Sequence, residues 1–454
     1  MIALRTLCVL SLLLVACGSE PAEPGADASD AVADVTASDD VTSTVMPEDS
    51  AGPPSDSAEV DDVAAGGIDA DDEANTPISF GLPDLMGART DSVVPMPGLI
   101  AVQPAVAVSA EGETLVVFTA TPGAEGDLGI YASLAGQAAI PVKTEPPGQR
   151  NEPSVCRLSG GGFAAAWAYD GQAYGYTLGV EVAVFDSDGV VVKAFEVTTE
   201  VEGNHWLGAV GCSPEGGFTV VGSRTDTDDT TFGVFAQHFD AAGEALGAAF
   251  GVNPTPEGTQ VQPVVGIGPG GTGVVIYEDA PADGSYALTA RGIDASGAVG
   301  DTFSVLSLEG TDCLKPAVAV SAGGAFAYAG NIGTQVTLFQ VPFAQSLEPM
   351  EALFESTGIA GMPAVTFLDG EDVVALAMLT NFIGAGEPSV TVQLLGEGVE
   401  PQASMVSLGD DPTLPPYPPA IAYGAGTLAV AWTQRTDGGY ELHLSEFEAP
   451  VLAR

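Results

Sequence analysis

The chain has 454 residues, with 61 acidic and 11 basic side chains and a formal net charge of -50. This acidity argues against nucleic acid as a partner, because phosphate binding requires clustered Lys and Arg. Only 16% of the residues are charged and 46% are hydrophobic, so the chain as a whole is not predicted to be disordered. Its 58 Gly and 33 Pro favour an all-β, turn-rich protein.

Residues 1–16 have the features of an export signal. Arg5 is their only basic residue, and the apolar run from Leu7 to Ala16 is too short to span a bilayer as a helix. The segment Leu14-Val-Ala-Cys17 resembles the lipobox of bacterial lipoproteins. That resemblance implies that residues 1–16 are removed and that the thiol of Cys17 is acylated, which anchors the chain to a membrane. The alternative is an ordinary secretory signal with an incidental cysteine.

Residues 17–77 are predicted to form a disordered acidic tether. Gly18 follows the cysteine, where Asp would resemble an inner-membrane retention signal, so we expect export to the cell envelope and the outer membrane. From Gly18 to Asn75 there are 17 acidic residues, no basic residue and no aromatic residue. Such a stretch cannot bury enough apolar surface to offset its ordering entropy. An acidic tail that binds a basic partner is the alternative.

A self-similar unit recurs from about residue 100 to the C-terminus. Its marker is a Pro that opens a short strand of small apolar residues, with Gly208 in place of Pro in one copy. Seven such anchors lie 47 to 56 residues apart, at positions 104, 153, 208, 263, 316, 363 and 419. This spacing is the size of one propeller blade and is too irregular for a tight solenoid.

Turn residues repeat inside the units as well. A Gly-rich turn follows the first strand, and a large aromatic residue follows in the second. The third strand ends in an apolar residue, Asp, two residues and Gly, as in Phe185-Asp186 to Gly189. The Asp side chain is expected to cap this turn, and the Gly to supply the positive φ of a bulged hairpin.

Four short antiparallel strands in each of seven units resemble a seven-bladed β-propeller. The resemblance covers residues 78–454 and implies an all-β domain of four-stranded antiparallel blades. A pair of β-sandwich domains is the competing architecture. The seventh unit has room for three strands only, so part of residues 78–97 is predicted to supply its fourth, outermost strand and to close the ring.

In such blades the second-to-third loops and the connections between blades lie on one face of the disc. We call this the long-loop face, and it is where function is expected, because binding residues concentrate in loops on rigid scaffolds. The loops assigned to it are Thr199 to Gly208, Ser223 to Phe232, Glu278 to Tyr286, Leu306 to Lys315 and Ser407 to Pro418.

Acidic and aromatic residues in these loops are the candidate ligand-binding residues. Stacking on a sugar or a peptide is one role for the aromatic ones, and packing within turns is the other. A Ca²⁺ site on the carboxylates is conceivable, although their spacing matches no Ca²⁺ loop, so no metal site or cofactor is predicted. The candidates are His205, Trp206, Asp226, Asp228, Asp229, Glu278, Asp279 and Tyr417.

Catalysis finds little support in the sequence, and no catalytic residue is assigned. His205, His238 and His443 lie far apart without metal-ligand spacing, and His238 and His443 are expected to be half-buried in third strands.

We therefore expect a monomeric, lipid-anchored binding or scaffolding module with a protein or glycan ligand on the long-loop face. An extracellular propeller enzyme, a hydrolase or lyase acting on glycans or peptides, is the alternative, and a purely structural envelope protein is a third.

Three cysteines remain beyond the anchor, at positions 156, 212 and 313. Cys156 and Cys212 occupy near-matching places in the first strands of adjacent units, at offsets of three and four residues from their anchors. These offsets point the two side chains in opposite directions. Buried free thiols are therefore the default expectation, and a disulfide between Cys156 and Cys212 is the less favoured alternative.

Overall fold

The computed structural model describes residues 88–448 with gaps at 124–125, 172–177, 198–204, 226–231, 254–257, 281–283, 342–351, 357–359, 369–372, 382–387, 397–404, 411–416 and 437–438. These residues belong to one compact unit, Ile78–Arg454. The predicted signal peptide, the acylated Cys17 and the acidic tether lie outside the described residues. The part of the chain that is described contains no helix with the length and apolar character needed to cross a membrane.

The described residues form 28 strands that associate in groups of four. Blade 1 is β2 Ile100–Val108, β3 Thr114–Thr121, β4 Gly129–Leu134 and β5 Ile140–Lys143; blade 2 is β6 Gln149–Arg157, β7 Phe163–Asp170, β8 Leu178–Phe185 and β9 Val191–Glu196. Blade 3 is β10 His205–Cys212, β11 Phe218–Thr225, β12 Phe232–Phe239 and β13 Phe250–Gly251; blade 4 is β14 Thr259–Ile267, β15 Gly273–Ala280, β16 Ala287–Ile293 and β17 Val299–Leu306. Blade 5 is β18 Cys313–Val320, β19 Phe326–Ile332, β20 Gln335–Val341 and β21 Phe354–Glu355; blade 6 is β22 Ala360–Phe367, β23 Val373–Thr380, β24 Ser389–Gly396 and β25 Met405–Asp410. Blade 7 is β26 Ala420–Gly424, β27 Thr427–Thr436, β28 Gly439–Glu448 and β1 Arg89–Val93.

The seven blades form a closed ring. Neighbouring strands within each blade are antiparallel, and a single parallel pairing of Phe232 with Thr259 links blades 3 and 4. Each first strand contacts the first strand of the next blade, in the order β2, β6, β10, β14, β18, β22, β26 and back to β2. The protein is therefore a seven-bladed β-propeller, as the sequence predicts.

The last blade contains strands from both ends of the chain segment that forms the propeller. Its strand order is β1-β28-β27-β26, so the outermost strand comes from the N-terminal side and the other three from the C-terminal side. Five residues of β1 pair with β28, from Arg89 opposite Phe447 to Val93 opposite His443. The ring-closure prediction is confirmed for residues 89–93; the other expected piece, residues 78–80, lies outside the described residues.

The predicted Asp turns are present between third and fourth strands. Asp186 Oδ1 accepts hydrogen bonds from the backbone N–H groups of Asp188 and Val190 at 3.0 and 2.9 Å, and Gly189 has a φ of 72°. The equivalent turns of blades 3 and 4 are built in the same way around Asp240 and Asp294. The Asp side chain thus accepts hydrogen bonds from the backbone N–H groups of the turn, and Gly provides the left-handed residue that the bulged hairpin needs.

The anchor prolines differ from the prediction in one respect: most lie inside the first strand rather than opening it. Strand β2 begins at Ile100, four residues before Pro104, and the pairing with β3 shifts between Val102 and Pro104. Shifts at the same place occur in blades 2 to 6. In blade 1 the bulge leaves Gln103, the residue before the proline, without a partner in β3, and such breaks in the ladder are where strands tolerate proline.

A buried ion pair fixes the entry into blade 2. Arg150 is 0% exposed and donates to both carboxylate oxygens of Glu181, from Nε at 2.7 Å and from Nη2 at 3.3 Å. Trp167 Nε1 donates to the same carboxylate at 2.7 Å, and Arg150 Nη1 donates to the carbonyl of Pro146 at 2.9 Å. Because each buried charge has several partners, the pair positions the connection that precedes the inner strand β6.

Cys156 and Cys212 form a disulfide with a Cα–Cα distance of 5.6 Å, so the expectation of free thiols was wrong for this pair. Neighbouring blades present opposite faces of their sheets to each other. Val155 packs against blade 1, whereas Cys156 lies in the core between blades 2 and 3. Cys212 lies in that same core, and its strand places Ala209 in the core towards blade 4. Opposite side-chain directions are therefore what the bridge requires. The remaining cysteine, Cys313, is free and buried.

The mouth of the central channel as a candidate functional site

The inner strands of the seven blades surround a central channel. It includes a cavity of about 420 Å³, within the range of roughly 300–1,000 Å³ that is typical of small-molecule sites. Small apolar residues dominate its wall, for example Val106, Ala209, Val265, Ala317 and Ala364. Ser154, Arg157 and Thr366 add polar side chains to this wall, and further polar groups lie at the end of the channel.

The bulges of the inner strands ring the end of the channel on the long-loop face. The residue before each of five anchor prolines has a left-handed φ between 48° and 57°. This conformation is uncommon for a residue with a side chain and is further disfavoured before proline. We call the ring of these residues the channel mouth; they are Gln103, Glu152, Gln262, Lys315 and Met362.

Three of the bulges are held by a polar side chain of the preceding blade. The backbone N–H of Glu152 donates to Gln103 Oε1 at 3.1 Å, and that of Lys315 donates to Glu278 Oε1 at 2.8 Å. The N–H of Met362 donates to Asn331 Oδ1 at 3.2 Å. These contacts satisfy amides that the bulge removes from the strand ladder, and they join successive blades at the mouth.

Glu278 and Asn331 occupy the same place in their blades. Each lies in the second strand, one residue beyond the position opposite the anchor proline. At this position Glu278 alone is ionisable. The equivalent residues, counted along the paired strands of blades 1 to 7, are Thr119, Ala168, Ser223, Glu278, Asn331, Leu379 and Thr433.

Glu278 is a buried carboxyl group near several charges. It is 5% exposed, and burial raises its pKa to about 7. The charge of Lys315 and the hydrogen bond from its amide act in the opposite direction, whereas Glu152 and Asp312 raise the pKa further. Glu152 belongs to blade 2 and Glu278 to blade 4, so the pKa of this carboxyl group is affected by a charge from a separate blade.

The structure separates the two predicted neighbours Glu278 and Asp279. Both lie inside β15, which extends to Ala280, so they are strand residues rather than residues of the predicted loop. Adjacent strand residues point to opposite faces, and Asp279 accepts hydrogen bonds from Gln260 at 3.0 Å and Thr289 at 3.4 Å. Glu278 belongs to the channel mouth, whereas Asp279 is held within its own blade.

Tyr417 is half-buried and packs edge-on against Tyr440, with ring centroids 6.2 Å apart. Burial and the neighbouring Tyr440 raise the pKa of its hydroxyl group. Tyr440 is the second residue of β28 and pairs with the exposed Arg435 across the second-to-third hairpin of blade 7. The predicted Tyr417 therefore belongs to an aromatic pair on the long-loop face.

The other candidate residues are described in part or not at all. His205 and Trp206 lie at the start of β10, where their backbones pair with Arg224 and Ser223, and their side chains are outside the described set. Asp226, Asp228 and Asp229 also lie outside the described residues. Within the described ranges, no group of three or more His, Cys, Asp or Glu is placed to hold a metal ion.

The two described histidine side chains lie in separate blades, away from the channel mouth. His238 and His443 are half-buried in the third strands β12 and β28, as predicted. His238 lies 2.8 Å from Thr219 Oγ1 and 3.0 Å from the carbonyl oxygen of Asp294. Burial lowers the pKa of both imidazoles, which favours their neutral forms.

No protein-family model and no curated protein matches this chain. Among solved structures, a protein of unknown function from Dyadobacter fermentans is similar with a TM-score of 0.49 and 12% identity, over 81% of this chain and 100% of that one. A Trypanosoma rangeli sialidase matches over 80% of this chain and 60% of its own, at 10% identity and a TM-score of 0.46. The GH93 α-L-arabinofuranosidase of Fusarium graminearum matches over 68% and 98%, at 12% identity and 0.45. These identities are too low to transfer an activity or a site residue to this chain.

Proposed function

We propose that this protein is an exported, lipid-anchored propeller that binds a glycan at the channel mouth. The observation that carries the proposal is the break in the internal repeat at this place. The contact between blades 4 and 5 joins two ionisable residues, Glu278 and Lys315. The equivalent contact between blades 5 and 6 joins two neutral residues, Asn331 and Met362. Carboxyl groups are seldom buried without a specific role, since burial of a charge is costly.

The chemistry around the mouth suits a ligand rich in hydroxyl groups. The amides of Gln103 and Gln262, the carboxylate of Glu152 and the ammonium of Lys315 are all half-buried and therefore partly accessible. Together they offer both donors and acceptors, which sugar hydroxyl groups require. The Tyr417–Tyr440 pair adds aromatic surface on the same face.

A glycan array with the purified protein tests this proposal. We expect Lys315→Ala and Glu152→Gln each to weaken binding about tenfold, because each removes a charge-assisted hydrogen bond. Lys193→Ala and Glu244→Gln are the matched controls, since these two residues pair with each other away from the mouth at 2.8 Å. Equal losses in mouth and control variants, or binding to peptides only, would contradict the proposal.

An enzyme that acts on extracellular glycans is the second candidate function. The observation that favours it is the buried carboxyl group of Glu278 at the mouth; burial raises its pKa to about 7, which suits a general acid at neutral pH. The same array scored for hydrolysis separates the two candidates. Loss of turnover with retained binding in Glu278→Gln would support the enzyme, and glycans bound but never cleaved would support the binding module.

The lipid anchor is supported by the Leu14-Val-Ala-Cys17 motif at the end of an apolar signal. We expect Cys17→Ala to abolish metabolic labelling with fatty acid and to leave an unprocessed precursor or a soluble protein, because the thiol that receives the diacylglycerol is missing. Cys8→Ala, inside the apolar run, is the control and should be labelled like the parent. Normal maturation and labelling of Cys17→Ala would overturn the anchor, the proposed outer-membrane location and the tethered display of a monomeric propeller.

A further inference from the structure

The end of strand β15 faces two neighbouring blades through consecutive residues. Tyr277 packs in the core between blades 3 and 4, and Ile276 packs in the core between blades 4 and 5. Because side chains alternate along a strand, Asp279 then lies on the side of blade 3 and Glu278 on the side of blade 5. Glu278 makes its contact there, since its Oε1 accepts the backbone N–H of Lys315 at 2.8 Å.

Asp279 is the last acceptor of a polar network that crosses from blade 3 to blade 4. Its Oδ1 accepts a hydrogen bond from Gln260 Nε2 at 3.0 Å, and Gln260 Oε1 accepts one from Asn253 Nδ2 at 3.1 Å. Asn253, which follows β13, accepts the backbone N–H of Val234 in β12 on its Oδ1 at 2.8 Å. All the donors point towards Asp279, so its carboxylate orients both amide side chains.

This polar network stands where a direct contact at the mouth is missing. Ser223 in blade 3 occupies the place of Glu278 in blade 4, but its Oγ is buried and has no hydrogen-bond partner among the described residues. Asn331, at the same place in blade 5, accepts the bulge N–H of Met362. Blades 3 and 4 are instead joined by the polar network and by the parallel pairing of β12 with β14.

We propose that Asp279 is a positioning residue of the channel mouth. It ties the end of β15 to blade 3, and the preceding residue of that strand, Glu278, then holds the bulge of Lys315 in blade 5. Gln260 lies two residues before the mouth residue Gln262, so the same network fixes the bulge of blade 4. The coupling of the two junctions rests on these hydrogen bonds, and only its effect on glycan binding rests on the proposed function.

Hydrogen exchange of the full chain, without any glycan, tests the coupling. Asp279→Ala removes the last acceptor, and we expect exchange about tenfold faster at the amides of Val234 and Lys315, since a hydrogen bond to a charged group is lost. The amide of Met362, in the junction of blades 5 and 6, should keep its rate. Asp301→Ala is the matched control, because Asp301 is an exposed aspartate of the same blade.

Two further variants separate positioning from a general loss of stability. Asp279→Asn keeps an oxygen acceptor for Gln260 and should restore the parent rates. If Asp279→Ala does not fold, Asn253→Ala interrupts the network from its blade 3 end and should accelerate exchange at Lys315 in the same direction. An unchanged rate at Lys315, or equal acceleration at Lys315 and Met362, would overturn the positioning role.

The effect on the ligand is measured with a glycan that the parent binds on the array. Asp279→Ala should weaken this binding about tenfold, whereas Asp279→Asn and Asp301→Ala should bind like the parent. Equal affinities of Asp279→Ala and the parent would overturn the positioning role. A parent that binds no glycan would contradict the proposed function instead, and the exchange rates would still decide whether Asp279 positions the mouth.

Discussion

Deleting residues 78–97 should lower the melting temperature of the protein by on the order of 10 °C. The deletion removes β1, which pairs with β28 through five residues, and it leaves the edge of blade 7 open. It also removes Val94, which is 1% exposed in the core between blades 7 and 1 and whose N–H bonds to the carbonyl of Leu442 at 2.9 Å. One buried Val and several backbone hydrogen bonds together contribute about 5 kcal/mol.

Deletion of residues 18–75 is the matched control, because it shortens the chain by more residues and leaves β1 in place. Calorimetric melting curves of the parent and both truncations check the prediction. The strand also joins blades, since Arg89 Nη2 donates to the carbonyl of Leu408 in blade 6 at 3.2 Å. Equal melting temperatures for the two truncations would show that β1 does not close the ring.

The architecture could be predicted because each blade repeats local signals. The anchor motif marked every first strand, and the Asp186 and Asp240 turns were predicted from five residues each. Ring closure followed from a count of strands, since the seventh unit was one strand short and apolar residues such as Val93 and Val94 stood before the first anchor. These inferences need only neighbouring residues and a topological rule.

The site could not be predicted in the same way, because its residues come from separate blades. Glu278 was singled out for the acidic run that it shares with Asp279, whereas the structure separates the two and joins Glu278 to Lys315. The feature that was not predicted from the sequence was the bulge before each anchor proline. Its sequence signal is the residue that precedes proline, such as Glu152 or Gln262, and a repeat alignment centred on that position would have identified the channel mouth.

The disulfide was missed for a related reason, which concerns direction rather than distance. Alternation along a strand correctly indicated that Cys156 and Cys212 point to opposite faces of their sheets. In a ring of blades, however, the far face of one blade is opposite the near face of the next. Cys156 and Cys212 therefore meet in the core between blades 2 and 3, where Val210 and Phe218 also pack.

Removing this bridge should cost about 4 kcal/mol of folding free energy. It closes a loop with a sequence separation of 56 residues, and the loss of unfolded-chain entropy on closing such a loop has this magnitude. We expect the double variant Cys156→Ala/Cys212→Ala, and the parent after reduction, to unfold at the same lower denaturant concentration. Cys313→Ala is the matched control, because it removes a buried thiol that forms no bridge. A double variant as stable as the control, or peptide mapping that finds both thiols free, would contradict the prediction.

Because the bridge joins two inner strands, its loss should loosen blades 2 and 3 first, and hydrogen exchange should then increase in β6 and β10 before the remaining inner strands.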